Sequence, residues 1–233
     1  MARSPLVDRL RASAPQISVG VLTADWLNLG SQLQAIESAG VELLHFDVMD
    51  GVFCPMLTLG APVVAGLKTQ LLKDVHLMIE DPLSKVEGFV AAGADIITLH
   101  VESTRHIHRV LQAVGKLTNA NDPNRGIVRG IALNPGTPLE VIDPLLGEFE
   151  MVLLLAVNPG WGGQKFIAST CDRVKRVREM VRDTALICVD GGITKDNIAN
   201  ISRLGADIIV TGSAVFDGKS PFENAKLMMD SLR

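Results

Sequence analysis

Apolar residues recur along the chain in short runs of strand length, and between these runs apolar positions return at helical spacing. The runs are Ile17 to Leu22, Leu43 to Val48, Asp74 to Met78, Asp95 to Val101, Gly130 to Asn134, Met151 to Val157, Leu186 to Val189 and Asp207 to Thr211. Some are apolar at consecutive positions, as in Met-Val-Leu-Leu-Leu-Ala-Val at 151–157. A parallel strand covered on both faces has this pattern, whereas a strand with one wet face alternates. Eight such runs alternating with helical segments, with no break in composition, predict one α/β domain.

The length of 233 residues, cut eight ways, gives roughly 29 residues per strand-helix unit, within reach of a barrel of about 250 residues. The predicted fold is a single-domain TIM (β/α)8 barrel over residues 15–233. A lead-in segment at 1–14 precedes it and reads as a short amphipathic helix. Ala39-Gly40-Val41-Glu42, Ala92-Gly93-Ala94-Asp95 and Leu204-Gly205-Ala206-Asp207 each precede a strand, with glycine where a helix would end in a left-handed cap. The polar stretch Thr118 to Arg125 predicts an exposed loop before the fifth strand, on the face of a barrel away from its chemistry.

Composition narrows the function. A hydrophobic fraction of 47% supports a large core, and a net charge of −4 without a basic run argues against nucleic acid or an anionic membrane surface as partner. No apolar run approaches the roughly 18 residues of a membrane span. Cys54, Cys171 and Cys188 have spacings that suit neither a disulfide framework nor a cysteine zinc site, so a reducing cytoplasm is expected. The expected partners are a small molecule and, as in many barrels of this size, further copies of the chain.

In a parallel barrel, chemistry gathers at the C-terminal ends of the strands. There the second strand carries His45, Asp47 and Met49, the third His76 and Met78, the fourth His100 and the seventh Asp190. His45 and Asp47 are two apart and share one face of a strand. Two imidazoles and two carboxylates converging from three strands suit a divalent cation such as zinc, iron(II), manganese or cobalt. His100 is expected at the edge of the pocket, and His106 and His108 at the start of a surface helix.

Three glycine-rich segments follow the sixth, seventh and eighth strands: Asn158-Pro159-Gly160-Trp161-Gly162-Gly163-Gln164, Asp190-Gly191-Gly192-Ile193 and Thr211-Gly212-Ser213-Ala214-Val215-Phe216. Glycine permits close backbone approach, and amides at such turns cradle a phosphate without cationic side chains.

At these residues the chain resembles the ribulose-phosphate 3-epimerase family, from about Ile17 to Phe216. The motifs His-Phe-Asp-Val-Met-Asp-Gly (45–51), Asp-Val-His-Leu-Met (74–78), Gly-Ala-Asp-Ile-Ile-Thr-Leu-His (93–100), Val-Asn-Pro-Gly-Trp-Gly-Gly-Gln (157–164), Val-Asp-Gly-Gly (189–192) and Gly-Ser-Ala-Val-Phe (212–216) occur in family order. The resemblance implies that His45, Asp47, His76 and Asp190 bind one divalent cation and that Asp47 and Asp190 are the acid/base pair. It also implies that His76, Gly160, Trp161, Gly162, Gly163, Gly191, Gly192, Gly212 and Ser213 meet substrate and its phosphate. Gly20, Met49, Met78 and Leu155 would line the pocket. The implied reaction is epimerisation at C3 of a ketose phosphate through an enediolate.

The chain departs from the family at several positions. The usual Ser-Ile-Leu-Ser-Ala-Asp-Phe of the first strand reads Gly20-Val21-Leu22-Thr23-Ala24-Asp25-Trp26, which replaces a substrate-contacting serine with Gly20. The third pocket methionine is Leu155, the next serine Ala156, the phosphate-loop phenylalanine Trp161, and the asparagine after Phe-x-Pro is Met56. These changes are expected in the shell facing substrate, which points to a different ketose phosphate or reduced activity on ribulose 5-phosphate. Decarboxylases on a similar scaffold use Asp-x-Lys-x-x-Asp, whereas Asp47-Val48-Met49-Asp50 has no lysine. A non-catalytic sugar-phosphate-binding protein would have little reason to carry both aspartates and both histidines.

Overall fold

A computed structural model describes residues 4–232. Its strands are β1 (Gln16–Gly20), β2 (Leu43–Met49), β3 (Leu72–Met78), β4 (Ile96–His100), β5 (Val128–Leu133), β6 (Met151–Leu155), β7 (Leu186–Asp190) and β8 (Ile208–Thr211). They form a closed barrel in chain order, and β8 pairs in parallel with β1. Each expected strand is present with its ends moved by a few residues. β1 stops at Gly20 because the chain turns into a 3-10 helix at Val21–Thr23, and β6 stops at Leu155 rather than Val157.

The helices are α1 (Pro5–Ala12), α2 (Leu29–Ser38), α3 (Ala61–Gly66), α4 (Val86–Ala91), α5 (Ile107–Val114), α6 (Thr170–Val181), α7 (Ile198–Ser202) and α8 (Pro221–Asp230). Between β5 and β6 the crossover is a 3-10 helix, Leu139–Leu145, whose internal Pro144 lacks the amide a longer α-helix would use. Gly40, Gly93 and Gly205 have φ of 94°, 94° and 86°, so the repeated glycine ends each helix in the left-handed region that side chains avoid.

Two cores follow from strand alternation. Outward residues such as Leu44, Phe46, Val75, Leu77 and Ile97 pack beneath the helices. Inward residues Leu43, Leu72, Ile96, Val128, Met151, Leu186 and Ile208 pack with Leu6, Val7 and Leu10 of α1. The lead-in helix therefore plugs the N-terminal mouth of the barrel. Its cap is Ser4, whose Oγ accepts the Leu6 N–H at 3.3 Å and donates to the Arg125 carbonyl at 2.9 Å. The first three residues of the predicted lead-in lie outside the described residues.

The loop at 118–125 is polar as expected but not wholly exposed. Asn119 is buried, and its Nδ2 donates to Asp95 Oδ1 and to the Gly126 carbonyl, each at 2.9 Å. Asp95 also receives Arg125 Nη1 at 2.7 Å and the Lys73 N–H at 2.9 Å, which ties the loop to β3 and the chain entering β4. A buried carboxylate needs these donors, and a polar run is free to turn inward to supply them.

Candidate active site

β2, β3 and β7 bring His45, Asp47, His76 and Asp190 together at the C-terminal end of the barrel, with one donor atom from each within 4.8 Å of all the others. The parallel register places Asp47 beside His76. His45 Nε2 lies 3.2 Å from Asp47 Oδ1 and 3.7 Å from Asp190 Oδ2. His76 Nδ1 lies 3.3 Å from Asp47 Oδ1 and 3.6 Å from Asp190 Oδ2. The carboxylates reach the cavity, whereas both imidazoles are fully buried behind them.

Each imidazole has a partner on its outer side. His45 Nδ1 is 2.7 Å from Asp74 Oδ2, which also accepts the Ser18 hydroxyl at 2.9 Å. His76 Nε2 is 2.9 Å from His100 Nε2, and His100 Nδ1 is 3.0 Å from Glu102 Oε2. His100 thus sits behind His76, fully buried, and not at the pocket edge where the sequence suggests it. Neither Asp74 nor Glu102 stood out in the sequence, because what marks them is a cross-strand contact to a histidine.

The electrostatics of the cluster favour a cation. Burial disfavours charge on His45, but the carboxylates of Asp74 and Asp47 outweigh it and hold its pKa well above the ordinary value. His76 is raised in the same way by Asp190 and Asp47 against the same burial. Burial would raise Asp47, yet the two imidazoles win and lower it. Two nitrogen and two carboxylate donors, with the histidines braced by outer partners, fit a divalent cation held through His45 Nε2, His76 Nδ1 and one oxygen of each aspartate. Burial pushes His100 down to about 4, so it is neutral near pH 7.

Above the cluster opens a cavity of about 640 Å³. Gly20, Met49, Met78 and Leu155 line it, as do Gly160, Trp161, Gly162, Gly163, Gly191, Gly192, Gly212 and Ser213. Met56 lines it as well, and Trp161 is half-exposed at its mouth. Lys165, just beyond the first glycine-rich segment, also faces the cavity, a cation that the sequence segments alone did not include. Thr23 is a further wall, so close to Gly212 that a β-carbon there would lie 2.9 Å from the threonine hydroxyl.

A profile of the ribulose-phosphate 3-epimerase family matches residues 16–216. The chain belongs to this family. It is 41% identical over 237 residues to the chloroplastic ribulose-5-phosphate-3-epimerase of Arabidopsis thaliana, covering 99% of this chain and 82% of that protein. It is 40% identical over 208 residues to the ribulose-phosphate 3-epimerase of Aquifex aeolicus, covering 87% and 90%. The fold alone is shared with the orotidine 5'-phosphate decarboxylase of Pyrococcus horikoshii, at a TM-score of 0.66 and 16% identity over 94% of this chain and 99% of that one.

The place of the decarboxylase lysine is taken by Met49, an apolar side chain that lines the cavity, and the neighbouring Asp50 is a turn residue. Its carboxylate accepts the backbone N–H groups of Val52, Phe53 and Glu80 at 2.8 to 2.9 Å and so shapes a turn. The structure corrects one expected departure. Ala156 follows the end of β6 and packs fully buried in the outer core, so it does not belong to the shell facing substrate. Gly20, Met56, Leu155 and Trp161 do line the cavity.

His106 occupies the N-cap position of α5 without a side-chain hydrogen bond to the helix, and His108 lies in the first turn; both are exposed, at the start of a surface helix as the sequence suggests. Cys54, Cys171 and Cys188 are free thiols, and among the described residues no helix is long and apolar enough to cross a membrane.

Proposed function

We propose that this protein inverts C3 of a ketose 5-phosphate, interconverting D-ribulose 5-phosphate and D-xylulose 5-phosphate, with Asp47 and Asp190 as the acid/base pair. The observation that carries this is the pair of carboxylates on β2 and β7, both open to one cavity and both in contact with the same two buried histidines.

Inversion needs a proton removed from one face of C3 and another returned to the opposite face. One aspartate, ionised, takes the C3 proton; the C2–C3 bond gains double-bond character and negative charge passes to O2. The other, protonated, then delivers its proton to C3 from the far side. The proton has changed carboxyl groups at the end of a turnover, so the pair resets by exchange with solvent. The requirement for one ionised and one protonated member is the usual consequence of two carboxyls sharing a site.

His45 and His76, with the two aspartates, would hold a divalent cation of the zinc, iron(II), manganese or cobalt group. When bound, it would supply Lewis-acid stabilisation of the negative charge that develops on the substrate. Met49 and Met78 give the reacting centre an apolar wall that keeps water off. The loops bearing Gly162, Gly191, Gly192, Gly212 and Ser213 offer amides to the phosphate, aided by Lys165. Free thiols accord with a cytoplasmic setting.

Incubating the metal-loaded protein in deuterium oxide with a panel of five- and six-carbon ketose phosphates tests this proposal. The expected result is deuterium at C3, fastest with D-ribulose 5-phosphate. No exchange with any sugar, with metal shown to be bound, would reject epimerisation and favour a sugar-phosphate-binding protein.

A further inference from the structure

His100 on β4 has no part in the proton transfers above, yet it is fully buried against a proposed metal ligand. We propose that His100 is a positioning residue that fixes which nitrogen of His76 faces the metal cluster, with Glu102 as its anchor. This rests on the four-residue cluster holding a divalent cation.

Proton placement follows from the contacts. Glu102 Oε1 accepts the Asn134 N–H at 2.8 Å and the Thr137 hydroxyl, and its Oε2 lies 3.0 Å from His100 Nδ1. A carboxylate that accepts at both oxygens requires the neutral His100 to carry its proton on Nδ1. His100 Nε2 is then a bare lone pair, 2.9 Å from His76 Nε2. That contact is a hydrogen bond only if His76 carries its proton on Nε2. The lone pair of His76 therefore sits on Nδ1, the nitrogen directed at Asp47 and Asp190, and that is the form in which imidazole ligates a metal. The opposite tautomer would aim an N–H into the cluster.

The relay is held from several sides. The Phe53 ring packs on His100 with centroids 4.6 Å apart, and the Ser103 hydroxyl donates to the His100 carbonyl at 2.7 Å. Arg173 of α6 donates to the Thr137 carbonyl at 2.8 Å and the Asn134 carbonyl at 3.2 Å, bracing the loop after β5 that Glu102 grips. On the side away from the cluster, His45 meets a carboxylate directly, in Asp74, whereas His76 reaches one through a second imidazole.

Zinc affinity, measured by competition with a chromophoric chelator, tests the relay in the parent, His100→Phe and His100→Gln. Phenylalanine keeps the ring volume without the acceptor and should weaken zinc binding about 10- to 100-fold. Glutamine offers an amide oxygen to the His76 N–H and should restore affinity to within a few-fold of the parent. Equal affinity in parent and His100→Phe, or a glutamine variant as weak as the phenylalanine one, overturns the inference. Nitrogen-15 spectra of histidine in the zinc-loaded parent decide independently of folding in the variants. They should show His76 protonated at Nε2 and coordinated through Nδ1; protonation at Nδ1 overturns the inference. A parent that binds none of zinc, manganese or cobalt overturns the metal assignment and this inference with it, whereas tight zinc binding unaffected by His100→Phe overturns this inference alone.

Discussion

Gly191 lies so close to Val157 that a β-carbon on it would sit 2.3 Å from Val157 Cγ2. The residue also has φ of 102°, so both space and backbone demand glycine. This contact locks the loop after β7 to the loop after β6, two walls of the same cavity. Gly191→Ala should therefore lose about 1–3 kcal/mol from backbone strain alone, with more from the clash, and should raise KM for a ketose phosphate. Urea unfolding and steady-state kinetics check this; an unchanged stability and KM would show that the loops yield freely.

Gly20 is a different kind of glycine. Its φ is −69°, and a β-carbon there would meet Gly212 Cα at an ordinary 3.5 Å. The position tolerates a side chain, so the missing hydroxyl is not forced by packing. Gly20→Ser should fold with stability within about 0.5 kcal/mol of the parent and should shift kcat/KM among five- and six-carbon ketose phosphates. An unchanged preference across the panel would mean that Gly20 does not set specificity.

The strands were legible because a parallel barrel leaves apolar runs that no half-wet strand would carry, and His45 and Asp47 because a two-residue spacing fixes a shared face. What joins different strands was not. The partnership of His45 with Asp74, or of His100 with His76, depends on register and on which way an imidazole turns, and neither leaves a local spacing. Ala156 was misplaced although alternation settles it: Leu153 and Leu155 point into the barrel, so Val152, Leu154 and Ala156 point outward beneath the helices. The amphipathic pattern of α1 showed that one face is apolar but not that it would close the bottom of the barrel.

Removing one carboxylate separates chemistry from binding. Asp190→Asn keeps the shape of the side chain but cannot exchange a proton, so epimerisation should fall by at least 10²- to 10⁴-fold, while a non-reactive sugar phosphate still binds at the glycine-rich loops. Stopped-point assays and calorimetry measure the two quantities. Retained turnover would refute the two-carboxylate assignment. Chelation of bound metal should abolish turnover in the parent, with recovery on adding back zinc, iron(II), manganese or cobalt.

The plug formed by α1 makes a stability prediction free of the active site. Leu10 is fully buried against the inward residues at the bottom of the barrel. Leu10→Ala should cost about 2–5 kcal/mol in urea unfolding through lost burial and a residual cavity. The folded variant should keep its kcat, because the cluster of His45, Asp47, His76 and Asp190 lies at the opposite mouth. A large fall in kcat at full folding would show that α1 positions the site.

Lys195 and Asp217 tie the segment after β7 to the segment after β8, with Nζ 2.9 Å from Asp217 Oδ2 and 2.6 Å from Asn224 Oδ1. Asn224 in turn donates to Asp217 Oδ1 at 2.7 Å and to the Val215 carbonyl at 2.9 Å. The hydrogen bond from Lys195, then the Lys219 N–H and Asn224, bring the Asp217 carboxyl down to about 2 from an ordinary 3.8. A folded-state pKa below the unfolded one means that the unfolded chain binds the proton first on acidification. The stabilisation from Asp217 is therefore complete above about pH 5 and is lost as pH falls through 3.8 towards 2. Asp217→Asn removes this titration, so the parent should lose stability faster than the variant across that window, and the two should differ by a constant amount above pH 5. Urea unfolding of both from pH 6 to the lowest pH at which they stay folded measures the difference. Parallel losses would mean that the Lys195 link forms equally well with a neutral partner, leaving Asn224 to hold the two loops together.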